Sequence, residues 1–546
     1  MLASLDSPLY YLDNFRTALA WISERYGDLL DAEELAFLQQ FAELPQASQA
    51  LLVRLIMRKG LHFRASKLSY AEIGDIASAA EPLLQQGWLI EDARLELAEL
   101  FALLRKDELL SSFAELAPIR GLKKDEQLQV LLPSYMQAQA FAHWCPQLDR
   151  LFSLTIGPLC DRLRLLFFGN LAQDWSEFVL AELGVYRYES VPIGAESRGF
   201  RSRKDLDDYL HLQHCRELFE AGLSIAEVLL ELGEFASENP HLTRRHAKLL
   251  FHLGQQLERE VELERAAALY AVSSHAEARQ RRVRVLEKLG ELQQAHDLAT
   301  TALLTPRNDA EAQALERALP RLQRLLGLPK QPRKPPAEAG LIELELPQPL
   351  ELSVEWAVQQ HLHDEQAPAF YVENTLVCSL FGLLCWEAIF APLPGAFFHP
   401  FHAGPVDLHD ADFRRRRAEL FERCLARLDD GSHAEAIRTT YTAKHGIVSP
   451  FVHWAVLTPE LLEIALHCLP PAHLRAWFER LLGDIRANRA GMPDLIQFWP
   501  AERRYRMIEV KGPGDRLQDN QKRWLAFCAE HGMPVDVCYV RWSATA

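Results

Sequence analysis

Leucine and alanine recur at spacings of three and four residues through roughly the first 330 residues, with few β-branched runs between them. Side chains three or four positions apart lie on one face of an α-helix, so this pattern predicts a mainly helical body. Beyond about residue 480 the pattern changes to short apolar runs separated by turn residues, which indicates strands and a helix. We therefore predict a multidomain chain with a helical N-terminal body and a C-terminal α/β domain.

Size and composition limit the partners of such a chain. Its 546 residues are too many for one hydrophobic core, and its composition, 49% hydrophobic and 25% charged, is that of folded globular domains. The formal net charge of −16 disfavours nucleic acid as a partner unless basic residues cluster locally. The nine cysteines are scattered without zinc-binding spacing, which is typical of reduced thiols in the cytoplasm.

Two segments bear on membranes and export. The first fifteen residues contain no signal-peptide pattern, so we expect a cytoplasmic protein, associated with the nucleoid if the chain is bacterial, or a nuclear one if it is eukaryotic. Residues 375–398 are apolar enough to span a bilayer, but they contain Glu387, Pro392 and Pro394. A buried core helix followed by a loop is the better prediction, and no membrane partner is expected.

The pattern of elements suggests five segments. Residues 1–100 form a helical module that we expect to bind DNA, and residues 106–133 predict a helix, a loop and a second helix, which resembles a SAP module. Leu253-Gly254 and Leu289-Gly290 recur 36 residues apart, which resembles tetratricopeptide-type hairpins, although an irregular helical domain fits as well. A proline-rich linker follows. The predicted boundaries are 1–100, 101–134 (SAP-like), 135–327 (tetratricopeptide-like), 328–340 (linker) and 341–546 (α/β domain).

Several basic clusters could bind the phosphates of DNA. Residues 51–67 contain no acid, and Arg54 and Arg58 would share one helix face; Lys123 and Lys124 oppose the dipole of the helix that they begin. The arginines of residues 414–417 likewise open a helix, where a bound anion would offset their charge. A solvated helix face is the alternative at the first and last of these clusters. The candidate DNA-binding residues are Arg54, Arg58, Lys59, Arg64, Lys67, Lys123, Lys124, Arg414, Arg415, Arg486, Arg489, Gln521 and Lys522.

The chemistry is expected near the C-terminus. Leu495–Trp499 and residues 505–511 predict two strands joined by a turn at 500–504, followed by a helix at 516–530 and a strand at 534–541. Because strand side chains alternate, Glu509 and Lys511 share one face, and the hairpin would bring Asp494 beside Glu509. Two carboxylates and the main-chain carbonyl of Val510 form an oxygen-rich site suited to Mg²⁺ or Mn²⁺, where Lys511 could position or deprotonate a water. The alternative is a surface strand with an exposed ion pair of under about 1 kcal/mol.

These residues form the PD-(D/E)xK signature: Pro493-Asp494, fourteen intervening residues, then Glu509-Val510-Lys511. With GMPDL, IEVKGPGDRL and the QKRW helix they resemble the VRR-NUC nuclease domain with its restriction-endonuclease-like core. The resemblance extends to the Fanconi-associated nuclease family, including bacterial members, through three further stretches: SPLYYLDNF at the N-terminus, LLVRLIMRK, and SLFGLLCWEAIF in the second half of the chain. The resemblance implies a further catalytic and metal-binding carboxylate thirteen residues before a tryptophan, which is Glu373 here; Glu387 is its competitor. The family pattern is Gly-Glu-Gly-Ser, whereas this chain has Val-Glu-Asn-Thr.

The same resemblance implies a reaction. It indicates Mg- or Mn-assisted hydrolysis of DNA phosphodiesters near 5′ flaps or branches, with 5′→3′ trimming, in interstrand crosslink repair. A long asymmetric helical body suits a monomer on an asymmetric DNA branch. Two alternatives remain open: a Holliday-junction resolvase, which would be a symmetric dimer, and a DNA-binding scaffold without activity.

Overall fold

The computed structural model describes residues 8–145, 149–176, 186–329, 339–348, 353–410 and 412–543. The chain divides into two compact units, one of residues 1–186 and 200–206 and one of residues 187–199 and 207–546. Most of the predicted linker at 328–340, and the first residue of SPLYYLDNF, lie outside the described residues.

The first unit is mainly helical, with two small sheets. Its three-stranded sheet has the order β1-β5-β2, and β3 pairs with β4; all pairs are antiparallel. The strands are β1 (His62–Arg64), β2 (Leu89–Glu91), β3 (Arg94–Leu95), β4 (Gln139–Ala140) and β5 (Leu151–Leu154). The helices are α1 (Tyr10–Tyr26), α2 (Ala32–Glu43), α3 (Gln46–Ile56), α4 (Ile76–Gln85), α5 (Leu97–Leu103), α6 (Lys106–Ser112), α7 (Lys124–Leu131), α8 (Phe141–Trp144) and α9 (Gly157–Phe168).

In this unit the predicted helix–loop–helix is present, but one predicted helix face is not. The helix–loop–helix predicted at 106–133 is present as α6, a 3₁₀ turn at Ala114–Ile119 and α7, with Leu109, Phe113 and Leu116 buried in a shared core. The single helix face expected for Arg54 and Arg58 is wrong, because α3 ends at Ile56 and Arg58 follows it in a loop.

The second unit begins with further helices, each packed against the next from α12 to α16. These hairpins agree with the helical prediction, but the two Leu-Gly pairs are not equivalent. Gly254 lies inside α12, where a Cβ would stand 2.8 Å from the Tyr270 ring, whereas Gly290 follows α14 with φ +80°. The helices are α10 (Arg203–Glu220), whose first four residues belong to the first unit, α11 (Ile225–Leu232), α12 (Pro240–Arg259), α13 (Leu263–Val272), α14 (Ala278–Lys288), α15 (Leu292–Leu304) and α16 (Asp309–Leu325).

A five-stranded mixed sheet of order β6-β10-β9-β8-β7 dominates the rest of this unit. β10 runs parallel to β6 and β9, while β8 is antiparallel to β9 and β7. The predicted hairpin and last strand are present, although the helix predicted from residue 516 begins at Asp519. The strands are β6 (Gly340–Pro347), β7 (Ala369–Tyr371), β8 (Leu495–Trp499), β9 (Arg504–Lys511) and β10 (Val535–Ser543).

Helices cover both faces of this sheet. Tyr505 and Met507 of β9 belong to the large core on one face, and Ile508 and Val510 belong to a smaller core on the other. A central strand covered on both faces is expected to be mainly apolar, so the buried charges of Glu509 and Lys511 within β9 are exceptional. The remaining helices are α17 (Val354–Leu362), α18 (Leu376–Leu384), α19 (Trp386–Ile389), α20 (Phe413–Arg416), α21 (Ala418–Ala426), α22 (His433–Lys444), α23 (Pro459–Cys468), α24 (Pro471–Gly483), α25 (Ile485–Asn488) and α26 (Asp519–Glu530).

The apolar segment at 375–398 lies in the large core, as expected for a core helix followed by a loop. Every residue of α18 is buried, and α19 follows it directly. Among the described residues, no helix is both long and apolar enough to cross a bilayer.

Candidate active site

The β8–β9 hairpin brings Asp494 to the main chain of β9. Leu495 pairs with Ile508, so Asp494, one residue earlier, lies level with the end of β9. The amide N–H of Val510 donates to Asp494 Oδ2 over 2.8 Å in a buried hydrogen bond. Gly491 has φ +90°, and a Cβ there would stand 2.8 Å from Asn520, so a glycine is required at the entry to the strand. The carboxylate of Asp494 is therefore held in one orientation.

Glu509 and Lys511 lie on the same face of β9, as the alternation predicted. Glu509 has no exposed surface, Lys511 is 8% exposed, and Lys511 Nζ lies 2.7 Å from Glu509 Oε1. This burial contradicts the alternative of an exposed ion pair on a surface strand. A charged pair inside a protein is costly to desolvate, so its presence in a central strand indicates a functional rather than a stabilising role.

Burial and mutual repulsion raise the pKa values of both acids. Burial raises the pKa of Asp494 to about 6; the Val510 amide opposes this rise, and the charge of Glu373 adds to it. Burial also raises the pKa of Glu509 to about 7, the charge of Asp494 adds to the rise, and Lys511 partly opposes it. One lysine is thus insufficient to neutralise the carboxylates near it, and the site favours a further positive charge.

Glu373 lies next to these acids on the segment that follows β7. The amide of Val372 donates to the carbonyl of Asp494 over 2.8 Å, and Met492 N–H donates to Asn374 Oδ1 over 3.0 Å. The hydroxyl of Tyr371 donates to Glu373 Oε2 over 2.6 Å. The charge of Glu373 raises the pKa of both Asp494 and Glu509. Glu373 is therefore part of the same electrostatic cluster.

The departure from Gly-Glu-Gly-Ser has a local explanation. Asn374 occupies the position of the second glycine and has φ +55°. Asparagine is one of the few residues other than glycine that adopts this left-handed conformation readily. The chain can thus keep the turn after Glu373, and the Asn374 side chain supplies the hydrogen bond to Met492.

The competing acid Glu387 has a different environment. It lies on α19 with its side chain 47% exposed, 3.5 Å from Arg427. Another acid, Glu355 on α17, was missed by sequence reasoning, although its charge raises the pKa of Asp494. Only the fold brings α17 to β8, because Glu355 lies well over a hundred residues earlier in the chain and has no motif around it.

The surroundings of the two Glu509 carboxylate oxygens show whether this site suits a cation. Neither Glu509 oxygen has a hydrogen-bond donor in suitable geometry, and Lys511 approaches only one of them. Buried carboxylates without donors are expected to bind a cation, and carboxylate and carbonyl oxygens suit Mg²⁺ or Mn²⁺. In the described part of the chain no three acidic, histidine or cysteine side chains are already gathered around one point, and Asp494, Glu509 and Glu373 each contact a donor of the protein.

Two candidate DNA-binding arginines of the first unit are already engaged. Arg54 bonds to Glu72 and stacks on Tyr11, 3.9 Å from its ring centre. Arg64 is buried and bonds to Glu108 and Asp149. The segment without acids is therefore neutralised by acids from elsewhere in the unit. Its exposed cations are Arg58, Lys59 and Lys67.

Of the two candidate lysines in the SAP-like segment, one is engaged within the protein and the other is exposed. Lys124 donates to the carbonyl of Leu104 over 2.8 Å, whereas Lys123 is exposed. The dipole argument made for them weakens, because Asp125 and Glu126 occupy the same first turn.

Two of the four arginines at 414–417 already form ion pairs with a buried aspartate of the protein. Arg417 and Asp407 are both fully buried and form a two-point ion pair at 2.8 and 2.9 Å, which Arg416 joins. The expected anion is thus partly internal, and the four arginines span the four-residue α20 and its end. Arg414 and Arg415 remain exposed.

The last four candidates lie in the segments that come before and after the β8–β9 hairpin in the sequence. Arg486 on α25 and Lys522 on α26 are exposed, while Arg489 donates to the carbonyl of Pro450 over 2.8 Å. Gln521 accepts a hydrogen bond from the Gln518 amide and so caps α26.

Comparison with known proteins assigns the chain to a family. Three family models match it: "FAN1, HTH domain" at residues 9–90, "Fanconi anemia-associated nuclease SAP domain" at 94–144, and "VRR-NUC domain" at 428–542. The Fanconi-associated nuclease 1 homolog of Pseudomonas aeruginosa is 58% identical over 541 residues, which cover 99% of this chain and 97% of that protein. The chain belongs to the Fanconi-associated nuclease family.

More distant and structural relatives agree. Human Fanconi-associated nuclease 1 is 23% identical over 97% of this chain and 62% of its own length. The crystal structure of paFAN1 bound to DNA with a 2-nucleotide 5′ flap and a gap matches with a TM-score of 0.92, 57% identity and full coverage of both chains. The predicted family, bacterial relatives and fold class are confirmed, including the helical body and the C-terminal VRR-NUC domain.

Proposed function

We propose that this member of the nuclease family hydrolyses DNA phosphodiesters near 5′ flaps, using Mg²⁺ or Mn²⁺ at Asp494, Glu509 and Glu373. The observation that carries the proposal is the fully buried Glu509, which Lys511 approaches at one oxygen only and whose pKa is nevertheless raised to about 7. A divalent cation would relieve this concentration of negative charge. The requirement for one of these two metals rests on the oxygen ligands.

Each residue has a distinct role in the proposed reaction. Asp494 and Glu509 hold the cation, with the Val510 carbonyl as a further ligand and Glu373 as support for a second ion. When bound, the cation acidifies water and withdraws charge from the phosphate. Lys511, 2.7 Å from Glu509, orients the attacking water through its ammonium group. The Val510 amide prevents Asp494 from rotating away.

The substrate is inferred from similarity and charge. The similar paFAN1 structures contain DNA with 5′ flaps of one or two nucleotides and a gap. A nuclease for such DNA grips duplex on either side of the branch, which suits exposed cations on several modules. The proposed contacts of this kind are Arg58, Lys59, Lys67, Lys123, Arg414, Arg415, Arg486 and Lys522. The boundaries at 100, 134, 327 and 340 remain predictions, as does a role in interstrand crosslink repair in the cytoplasm.

The decisive experiment compares labelled flap, nicked and four-way-junction DNA with Mg²⁺ or Mn²⁺. Wild-type protein should cut the flap substrate, and Asp494→Asn should lower the rate at least about a hundredfold while DNA binding persists. Asp364→Asn, an exposed aspartate after α17, is the matched control and should cut normally. Binding without cutting by the wild type would support a scaffold, and preferred symmetric cutting of the junction by a dimer would support a resolvase.

A further inference from the structure

An exposed tryptophan stands beside the candidate active site. Trp356 lies in the first turn of α17, and 46% of it is exposed. Its ring stacks on Tyr371 with a centroid distance of 6.4 Å and an interplanar angle of 24°. Single exposed apolar residues are common, so exposure alone decides nothing. What distinguishes this ring is that one of its faces lies nearly parallel to Tyr371, a residue that contacts the acids.

Tyr371 also connects the ring to the acids. Its hydroxyl donates to Glu373 over 2.6 Å. Glu355, the residue before Trp356, has a charge that acts on both Tyr371 and Asp494. The ring pair therefore borders the place where the proposed function puts the scissile phosphate.

We propose that the exposed face of Trp356 stacks on an unpaired nucleobase next to the scissile phosphate. This inference rests on the proposed function, because a phosphate held by the acids brings its own nucleotide to this rim. A base inside a duplex is already stacked on both faces, whereas a base at a flap or gap has a free face. Stacking on an aromatic ring accepts any base, which suits a nuclease that selects structure rather than sequence.

The test places 2-aminopurine, a fluorescent base, at successive positions around the flap junction. Stacking on tryptophan quenches 2-aminopurine, so the binding of wild-type protein with Ca²⁺ in place of Mg²⁺ should quench one position selectively. Trp356→Ala should abolish that quenching, and Trp356→Phe should restore stacking in part. Cleavage by Trp356→Ala should fall about 5- to 150-fold in kcat/KM, the range for one lost base–aromatic stack.

The matched control is Trp499→Ala. Trp499 lies at the other end of β8 from Asp494, about 17 Å along the strand, and Arg504 covers its ring at 3.6 Å. This variant should quench and cut like the wild type.

The outcomes separate this inference from the proposed function. If the wild type cuts flap DNA but Trp356→Ala retains both the quenching and the cutting rate, the stacking proposal is overturned and the nuclease proposal stands. If the wild type cuts no flap DNA with either metal, the proposed function fails. Quenching lost equally in Trp356→Ala and Trp499→Ala would also contradict the stacking proposal, since it would indicate a general disturbance of the domain.

Discussion

Replacing Glu509 with glutamine should stabilise the protein in the absence of metal. The folded chain holds this carboxyl with a pKa of about 7, against an ordinary value of 4.5. Between these values the folded state binds more protons than the unfolded state, so the free energy of unfolding falls as the pH rises. Above pH 7 the full penalty applies, and the difference in pKa corresponds to about 3 kcal/mol. Glutamine keeps the shape of the side chain and carries no charge to desolvate.

Thermal melting with EDTA measures this effect. The melting transition to follow is the one that Mn²⁺ shifts in the wild type, because it reports the unit with the acids. At pH 8 we expect Glu509→Gln to raise its midpoint by about 5 °C or more, at roughly 2–4 °C per kcal/mol for a domain of this size. Near pH 5 the difference should shrink to a small fraction, since the wild-type carboxyl is then protonated when folded.

Manganese should reverse the order of the two proteins. Binding to the folded state alone stabilises the wild type, whereas Glu509→Gln lacks one ligand and should gain little. Glu502→Gln, an exposed glutamate in the turn of the same hairpin, is the control and should match the wild type throughout. The reasoning is refuted if Glu509→Gln melts below the wild type at pH 8 without metal, or if its effect is the same at pH 5 and pH 8.

Three further predictions follow from particular contacts. Glu373→Gln should lower metal-dependent cleavage at least about a hundredfold, whereas Glu387→Gln on α19 should cut like the wild type; equal losses would contradict the choice of Glu373. Asn374→Gly should lose about 1 kcal/mol in denaturant unfolding, because it keeps the turn but removes the hydrogen bond from the Met492 amide, and Asn374→Val should lose about 1–2 kcal/mol more because φ is +55°. Arg417→Ala should lose about 3–5 kcal/mol in the same assay because it leaves Asp407 buried and unpaired, and a loss under 1 kcal/mol would refute that view.

The hairpin that bears the acids was predictable because its signals are local. Alternation along one strand put Glu509 and Lys511 on a common face, and the turn after Trp499 fixed which residue faces which. Neither inference needs information from more than about twenty residues away. The depth of burial was less accessible, because the helices that cover this face of the sheet come from distant parts of the chain.

The arginine clusters show where local reasoning fails. A segment without acids looks unneutralised in sequence, yet Glu108 and Asp149 approach Arg64 from 44 and 85 residues away. Asp407 likewise neutralises Arg416 and Arg417. Charge balance is a property of the folded surface, and a run of one sign predicts a ligand only for those members that the fold leaves exposed.

The same distinction explains why the acids of β9 make a stronger case than the arginines. A buried arginine that meets a carboxylate at two points has its charge satisfied by the protein, as Arg417 has. Glu509 is equally buried, but one lysine faces three nearby carboxylates, and the pKa values of Asp494 and Glu509 rise accordingly. This excess of negative charge lowers the stability of the folded protein, and the substitution Glu509→Gln would remove that loss. An external cation that binds when the enzyme works gives a physical reason for the imbalance to persist.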